Sequence, residues 1–193
     1  MKQILPQRRQ LQLFCLLLIA CLLVFAACFE ARERHARELT YYDTVLSAAT
    51  AYRISPALIL AVIRTESDFC PNARSSKGAA GLMQLMPSTY LYLRDTVFKE
   101  SLPDDAILLP SVNIRYGAFY LSYLLNTFQS TDTALAAYNA GEGRVCTWLG
   151  NEALSKDGKT LDTIPYKETE RYVSQVKNYY KHYTKKFRLK EHV

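Results

Sequence analysis

The sequence predicts a mainly α-helical domain preceded by an N-terminal transmembrane or signal segment. Three observations carry that prediction. Helix-starting and helix-stopping residues recur from position 39 onward, whereas the alternation of a half-buried strand does not. The run 11–29 is apolar apart from Gln12 and holds no charge. The chain has 193 residues, 49% of them hydrophobic, enough for one domain with one real core.

Taken in order, the segments read as follows. Residues 1–29 form a signal anchor or signal peptide. Nineteen helical residues span about 28 Å, close to the hydrocarbon thickness of a bilayer. The basic flank of Lys2, Arg8 and Arg9 should stay cytoplasmic and place the rest outside. An uncleaved anchor through 11–29 is the first reading, because the run is long for a signal peptide. Cleavage as a lipoprotein at Cys28, after Ala26 and Ala27, and plain secretion are the alternatives. Residues 30–40 form a charged neck of mixed sign, and 41–183 the folded domain.

Within that domain Ser55-Pro56 should open a helix running to about Asp68, with Pro71-Asn72 stopping it. Residues 74–81 read as a small-residue loop and 82–86 as a short helix. Pro87-Ser88 starts another segment that ends before Pro103. Pro110 opens a long helix to about Phe128, with Gly117, Leu121, Leu124 and Phe128 at three- and four-residue steps. Thr131 or Asp132 caps the next helix, which ends at Gly141. A further turn runs from Gly143 through Trp148. Residues 150–165 form a polar loop with room for a hairpin, and 168–186 a final tyrosine-rich helix. Residues 184–193 are a basic tail.

The formal charge of +6 raises nucleic acid as a partner, but its distribution argues otherwise. Residues 1–29 carry +3 and 171–193 carry +6, which leaves −3 on everything between. No basic groove crosses the body, and no nucleic-acid partner is expected. Cys15, Cys21 and Cys28 lie in the apolar run as hydrophobic filler. Cys70 and Cys146 are the one pair in the folded part that can form a disulfide; two unpaired, buried thiols are the alternative. No CxxC or HxxxH spacing occurs, and His35, His182 and His192 are scattered, so neither metal nor cofactor is expected.

The residue that points to chemistry is Glu66. Ile59, Val62, Ile63 and Glu66 fall at i, i+3, i+4 and i+7, which puts a carboxyl on the apolar stripe of its helix. Burial raises a carboxyl pKa, and a glutamic acid still protonated near neutrality is what general-acid catalysis needs. The competing reading is a helix-end salt bridge to Arg64 or Arg74. Other positions have equally plain alternatives. Met83 and Met86 suit a core, and Tyr138-Asn139 before Gly141 suits a helix C-terminus. Glu168 suits the first turn of a helix, and Tyr172, Tyr179, Tyr180 and Tyr183 suit packing.

The pattern around Glu66 narrows the choice. Arg64-Thr65-Glu66-Ser67-Asp68-Phe69, Pro71-Asn72-Ala73 and Gly81-Leu82-Met83-Gln84-Leu85-Met86-Pro87 follow one another. Farther on come Asn113-Ile114 with Gly117, Ala137-Tyr138-Asn139-Ala140-Gly141, and Ile164-Pro165-Tyr166-Lys167-Glu168-Thr169. Together, and in this order, these motifs resemble the soluble lytic transglycosylase catalytic domain (glycoside hydrolase family 23) over roughly 42–180. The resemblance implies a lysozyme-like helical fold with a substrate cleft, peptidoglycan glycan strands as substrate and no cofactor. It implies cleavage between N-acetylmuramic acid and N-acetylglucosamine that leaves 1,6-anhydromuramyl ends. It makes Glu66 the single acid/base. It makes Ser75, Met83, Gln84, Tyr138, Asn139 and Glu168 substrate-binding residues of the cleft. The arginine that the family usually carries two residues after that last glutamate is here Glu170, and Cys70 and Cys146 are outside the family pattern. The implied site of action is the extracytoplasmic face of the bacterial cytoplasmic membrane.

Rival functions are a goose-type hydrolytic muramidase, a non-enzymatic wall-binding protein and a DNA-binding membrane protein. A muramidase needs a further carboxylate, and Asp68 lies about 200° around the helix from Glu66. The acidic body argues against DNA binding.

Overall fold

The computed structural model describes residues 7–187; Lys2 and the tail residues 188–193 lie outside them. The chain divides into two compact units, Met1–Thr40 and Tyr41–Val193. Helix α1 covers Gln7–Tyr52, so the charged stretch after position 29 stays helical. In the first unit its apolar side chains are open, with Leu17 and Phe25 65% and 71% exposed. This segment is long and apolar enough to cross a bilayer.

The second unit is built around α2 (Pro56–Ser67). From Ala57 to Ile63 every side chain is at most 5% exposed, so this helix is apolar on all sides and sits at the centre. Burying each of its leucines and isoleucines contributes roughly 1.5–3 kcal/mol before entropy is counted. Pro56 at its first position has no amide hydrogen to lose, and Asp68 closes it in the left-handed conformation at φ 49°. Helix α7 (Lys167–Phe187) packs along α2 with Tyr172, Val173, Val176 and Tyr183 inward.

Helix α3 (Pro87–Tyr92) runs into a π-helical turn, Leu93–Phe98, and a 3-10 turn follows at Asp104–Leu108. Helix α4 (Pro110–Phe128) serves two cores. Ile114, Ala118, Leu121 and Leu124 face the main one, while Val112 and Tyr116 join Ala80, Leu85, Tyr90, Leu93 and Ile107 in a second. Helix α5 (Thr131–Ala140) packs against α4 and α7, and α6 (Glu142–Leu149) against α5. The α5 cap is Ser130, whose hydroxyl accepts from Thr133 N at 3.4 Å, rather than Thr131 or Asp132.

Three expectations are corrected. Residues 82–84 are turns and Leu85 a bridge residue, not a helix, because Gly81 and Gln84 take left-handed φ values of 81° and 47°. Residues 150–165 contain no hairpin; Asp157 organises that loop by accepting from Thr160 N (2.7 Å) and Lys159 N (2.8 Å). These bonds favour the carboxylate and hold its pKa below the ordinary value. Cys70 and Cys146 form no disulfide and are not buried: both are free, exposed thiols. Cys70 sits in the turn after α2, and Cys146 follows the buried Val145 on the outer side of α6.

Candidate active site

Glu66 lies in the last turn of α2, on the stripe completed by the fully buried Ile59, Val62 and Ile63. The helix end is fixed by Ser67, whose hydroxyl donates to Leu82 O (2.8 Å) across the following loop. Arg64 pairs with Asp68 at 2.9 Å, so the salt bridge envisaged for Glu66 goes to its neighbour. Among the described residues Glu66 makes no ion pair. Burial pushes its pKa up to about 7, and the Tyr172 hydroxyl on α7 pulls slightly the other way. No second carboxylate contributes to the shift.

Two tyrosines accompany this acid. Burial and the charge of Glu66 push the Tyr138 and Tyr172 hydroxyls well above their ordinary pKa, so both stay neutral. Tyr138 donates to Met83 O (2.9 Å). Tyr172 is 7% exposed, and its hydroxyl has no hydrogen-bond partner of standard geometry among the described residues. It is thus available to the Glu66 carboxyl. The sequence by itself reads Tyr172 as packing; its one signal of more is a hydroxyl on the buried face of an amphipathic helix.

The loop 73–85 carries the next set. Short antiparallel bridges join Arg74 to Ala80 and Ala80 to Leu85. Asn113, reaching over from α4, is fully buried: its Oδ1 accepts from Met83 N (2.7 Å), and its Nδ2 donates to Ile107 O (2.7 Å) and Ala80 O (3.0 Å). Gly81 is required here, because a Cβ at that position would lie 2.3 Å from Asn113 Nδ2. Gln84 spends its amide on the same loop, donating to Gly81 O (2.9 Å) and Ala73 O (3.0 Å). The Met83 side chain is fully buried beside Gly117, whereas Met86 is 41% exposed; the open methionine of this motif is Met86.

The remaining candidates lie farther out. Ser75 is exposed in a turn, its Oγ accepting from Ala79 N (3.0 Å). Asn139 accepts from Thr169 Oγ1 (2.8 Å), which ties the end of α5 to α7. Glu168 is exposed and pairs with Lys77 at 3.6 Å. The structure therefore sets Tyr138 beside Glu66 and ties it to Met83 O, while Gln84 bonds only within its own loop. Ser75, Asn139 and Glu168 stand on the adjoining turn and helix ends.

Residues 43–160 match the model of the transglycosylase SLT domain. The chain belongs to the SLT domain family. Over 154 residues this SLT chain is 40% identical to the soluble lytic murein transglycosylase of Salmonella typhimurium, covering 75% of this chain and 23% of that protein. It is 32% identical over 168 residues to the membrane-bound lytic murein transglycosylase C of Edwardsiella ictaluri, covering 74% and 46%. The crystal structure of the 70 kDa soluble lytic transglycosylase of Escherichia coli superposes on it with a TM-score of 0.67 and 33% identity, covering 76% of this chain and 24% of that one. The SLT chain thus spans about a quarter of the length of the soluble relatives. The mainly helical, lysozyme-like fold implied by the motifs is the one observed.

Proposed function

We propose that this protein is a peptidoglycan lytic transglycosylase that works with Glu66 as its single acid and base. The observation that carries the reading is one partly buried carboxyl at the end of α2, raised to about 7, with no ion pair among the described residues and no second carboxylate acting on it. Such a group is half protonated at neutral pH, so it can give a proton and take one back. Glu66 protonates the glycosidic O4 of N-acetylglucosamine as the C1–O4 bond breaks. The acetamido oxygen of N-acetylmuramic acid supports the anomeric carbon. The C6 hydroxyl of the same sugar then forms the C1–O6 bond, and its proton returns to Glu66. No water is consumed.

The supporting residues have parts in this scheme. Tyr138, fixed on Met83 O, and Tyr172 frame the carboxyl with neutral hydroxyls. Gln84 and Asn113 keep the loop in place by spending their amides on its backbone. Ser75, Asn139, Met86 and Glu168 are left to meet the strand. Positioning the C6 hydroxyl over C1 is proximity catalysis, which can supply much of the barrier reduction. The segment 11–29 anchors the domain on the outer face of the cytoplasmic membrane, a reading supported by its exposed apolar side chains.

The test is mass spectrometry of muropeptides released from purified peptidoglycan by the full chain in detergent. Ends one water lighter than reducing sugars, and inert to borohydride, are expected. Glu66→Gln should abolish their release while the fold survives. Reducing ends would make the protein a muramidase, and unchanged release by Glu66→Gln would remove Glu66 from the reaction.

A further inference from the structure

Charge is segregated along α7. At its start Lys167 and Arg171 balance Glu168 and Glu170. From Ser174 to Lys190 the sequence carries six Lys and Arg and no acid; of these, Arg188 and Lys190 lie outside the described residues. Lys177, Lys181 and Lys185 follow at four-residue steps, which puts them on one stripe of the helix. Lys177 is neutralised by Asp132 at 2.7 Å. Lys181 and Lys185 are exposed and pair with no acid among the described residues. Like charges four residues apart work against a helix. The helix dipole does not account for them, because its pull on cations falls off within the last turn, where Lys185 and Lys186 already sit. Lys181 lies beyond that turn.

The same end of α7 is tied to the start of the folded unit. Phe187 stacks on Tyr42 with ring centroids 4.8 Å apart and on Tyr183 at 6.0 Å. Tyr42 comes thirteen residues after Phe29, where the apolar run ends. The chain itself therefore keeps Tyr42 within about 45 Å of that run, even fully extended. A tether this short holds a surface at an effective concentration on the order of millimolar toward whatever carries the run. Resting on the anchor reading given above, we propose that the basic C-terminal end of α7 docks on anionic phospholipid headgroups of the membrane that holds 11–29. Lys181 and Lys185 are its contacts. Headgroup phosphates supply the counter-charge that the protein lacks there, and lysine stems let the ammonium groups reach it. A protein partner is disfavoured, since lysine-rich, ring-poor surfaces are what protein interfaces avoid. Anionic wall polymer offers the same charge, but the tether favours the lipid.

The test is amine-reactive footprinting, read by mass spectrometry, of the full chain in lipid nanodiscs. The discs hold phosphatidylcholine alone or with about 30% phosphatidylglycerol, an anionic surface of known attraction for lysine. Lys99 and Lys159, exposed elsewhere in the folded unit, are the internal standards. Relative to them, labelling of Lys181 and Lys185 should fall about fivefold in the anionic discs. It should return in about 1 M salt, where the Debye length shrinks to about 3 Å. Lys181→Glu should restore most of the Lys185 labelling, whereas Lys181→Arg should not. Labelling that is the same in neutral and anionic discs would overturn the docking surface. So would protection that appears only when soluble wall teichoic acid is added, since the partner would then be a polymer. Retention on the neutral discs reads the anchor by itself. A chain that leaves neutral discs but is protected on anionic ones would sink the anchor alone, and a chain retained on both with equal labelling would sink the docking surface alone.

Discussion

At the scale of single residues, the Glu66 carboxyl has a measurable thermodynamic signature apart from any substrate. Its pKa rises from an ordinary 4.5 to about 7 on folding, so between those values the folded state holds a proton that the unfolded chain releases. Stability from this group is complete below about pH 4.5 and is lost as pH rises through 7, worth about 3 kcal/mol over that window. Glu66→Gln removes the titration. Chemical denaturation at pH 5 and pH 8 should show the unmodified chain losing stability that the variant keeps, and parallel losses in both would contradict a buried carboxyl. The place of Glu66 on the core-facing stripe was legible from residues 59–66, since periodicity fixes which face a side chain shares. Tyr172 was not, because only the docking of α7 onto α2 makes its hydroxyl a neighbour of that acid. The same limit misassigned the methionines: Met83 and Met86 are alike in composition, and only the turn between them decides which one is open.

At the scale of elements, the loop 73–85 behaves as a small framework hung from α4. Its strength comes from Asn113, a buried amide whose three hydrogen bonds reach three separate backbone positions. Gly81→Ala would force a left-handed φ on a residue with a Cβ and drive that Cβ into the amide. Left-handed strain and a displaced buried amide together should cost about 3 kcal/mol. A thermal melt should fall by several degrees, and a melt unchanged within a degree would show that the loop relaxes freely. Helices α2, α4 and α7 were legible because proline, glycine and periodicity mark them locally. The turns over 82–84 read as helix from the sequence because their left-handed residue is a glutamine, and nothing local to Gln84 demands that conformation. What demands it is the pair of carbonyls, Gly81 and Ala73, that its amide satisfies.

At the scale of the whole molecule, composition alone separates the two units. An uncharged run of nineteen residues has no use in a water-exposed helix, and its side chains are open in the first unit. Alkaline carbonate should leave the full chain in the membrane pellet, while deletion of 2–29 should release it. Extraction of the intact chain, or a mature protein lipidated at Cys28, would replace the retained anchor by another mode of export. Whether Cys70 and Cys146 pair was beyond sequence, because a bridge depends on Cβ vectors that cysteine counting does not supply. Both the sign of the charge and its placement were legible: the positive total sits at the chain ends, and the stretch between is acidic.

On the proposed scheme the lone carboxyl has one more consequence, which concerns supply. An acid that receives back the proton it lent closes its circuit inside the cleft, exchanging nothing with the bulk. Each turnover leaves an unbuffered solution at the pH it began with. Concentrated osmolytes that starve a hydrolase of its co-substrate take nothing from a reaction whose nucleophile arrives already attached. Such a catalyst would keep its rate where water activity is low.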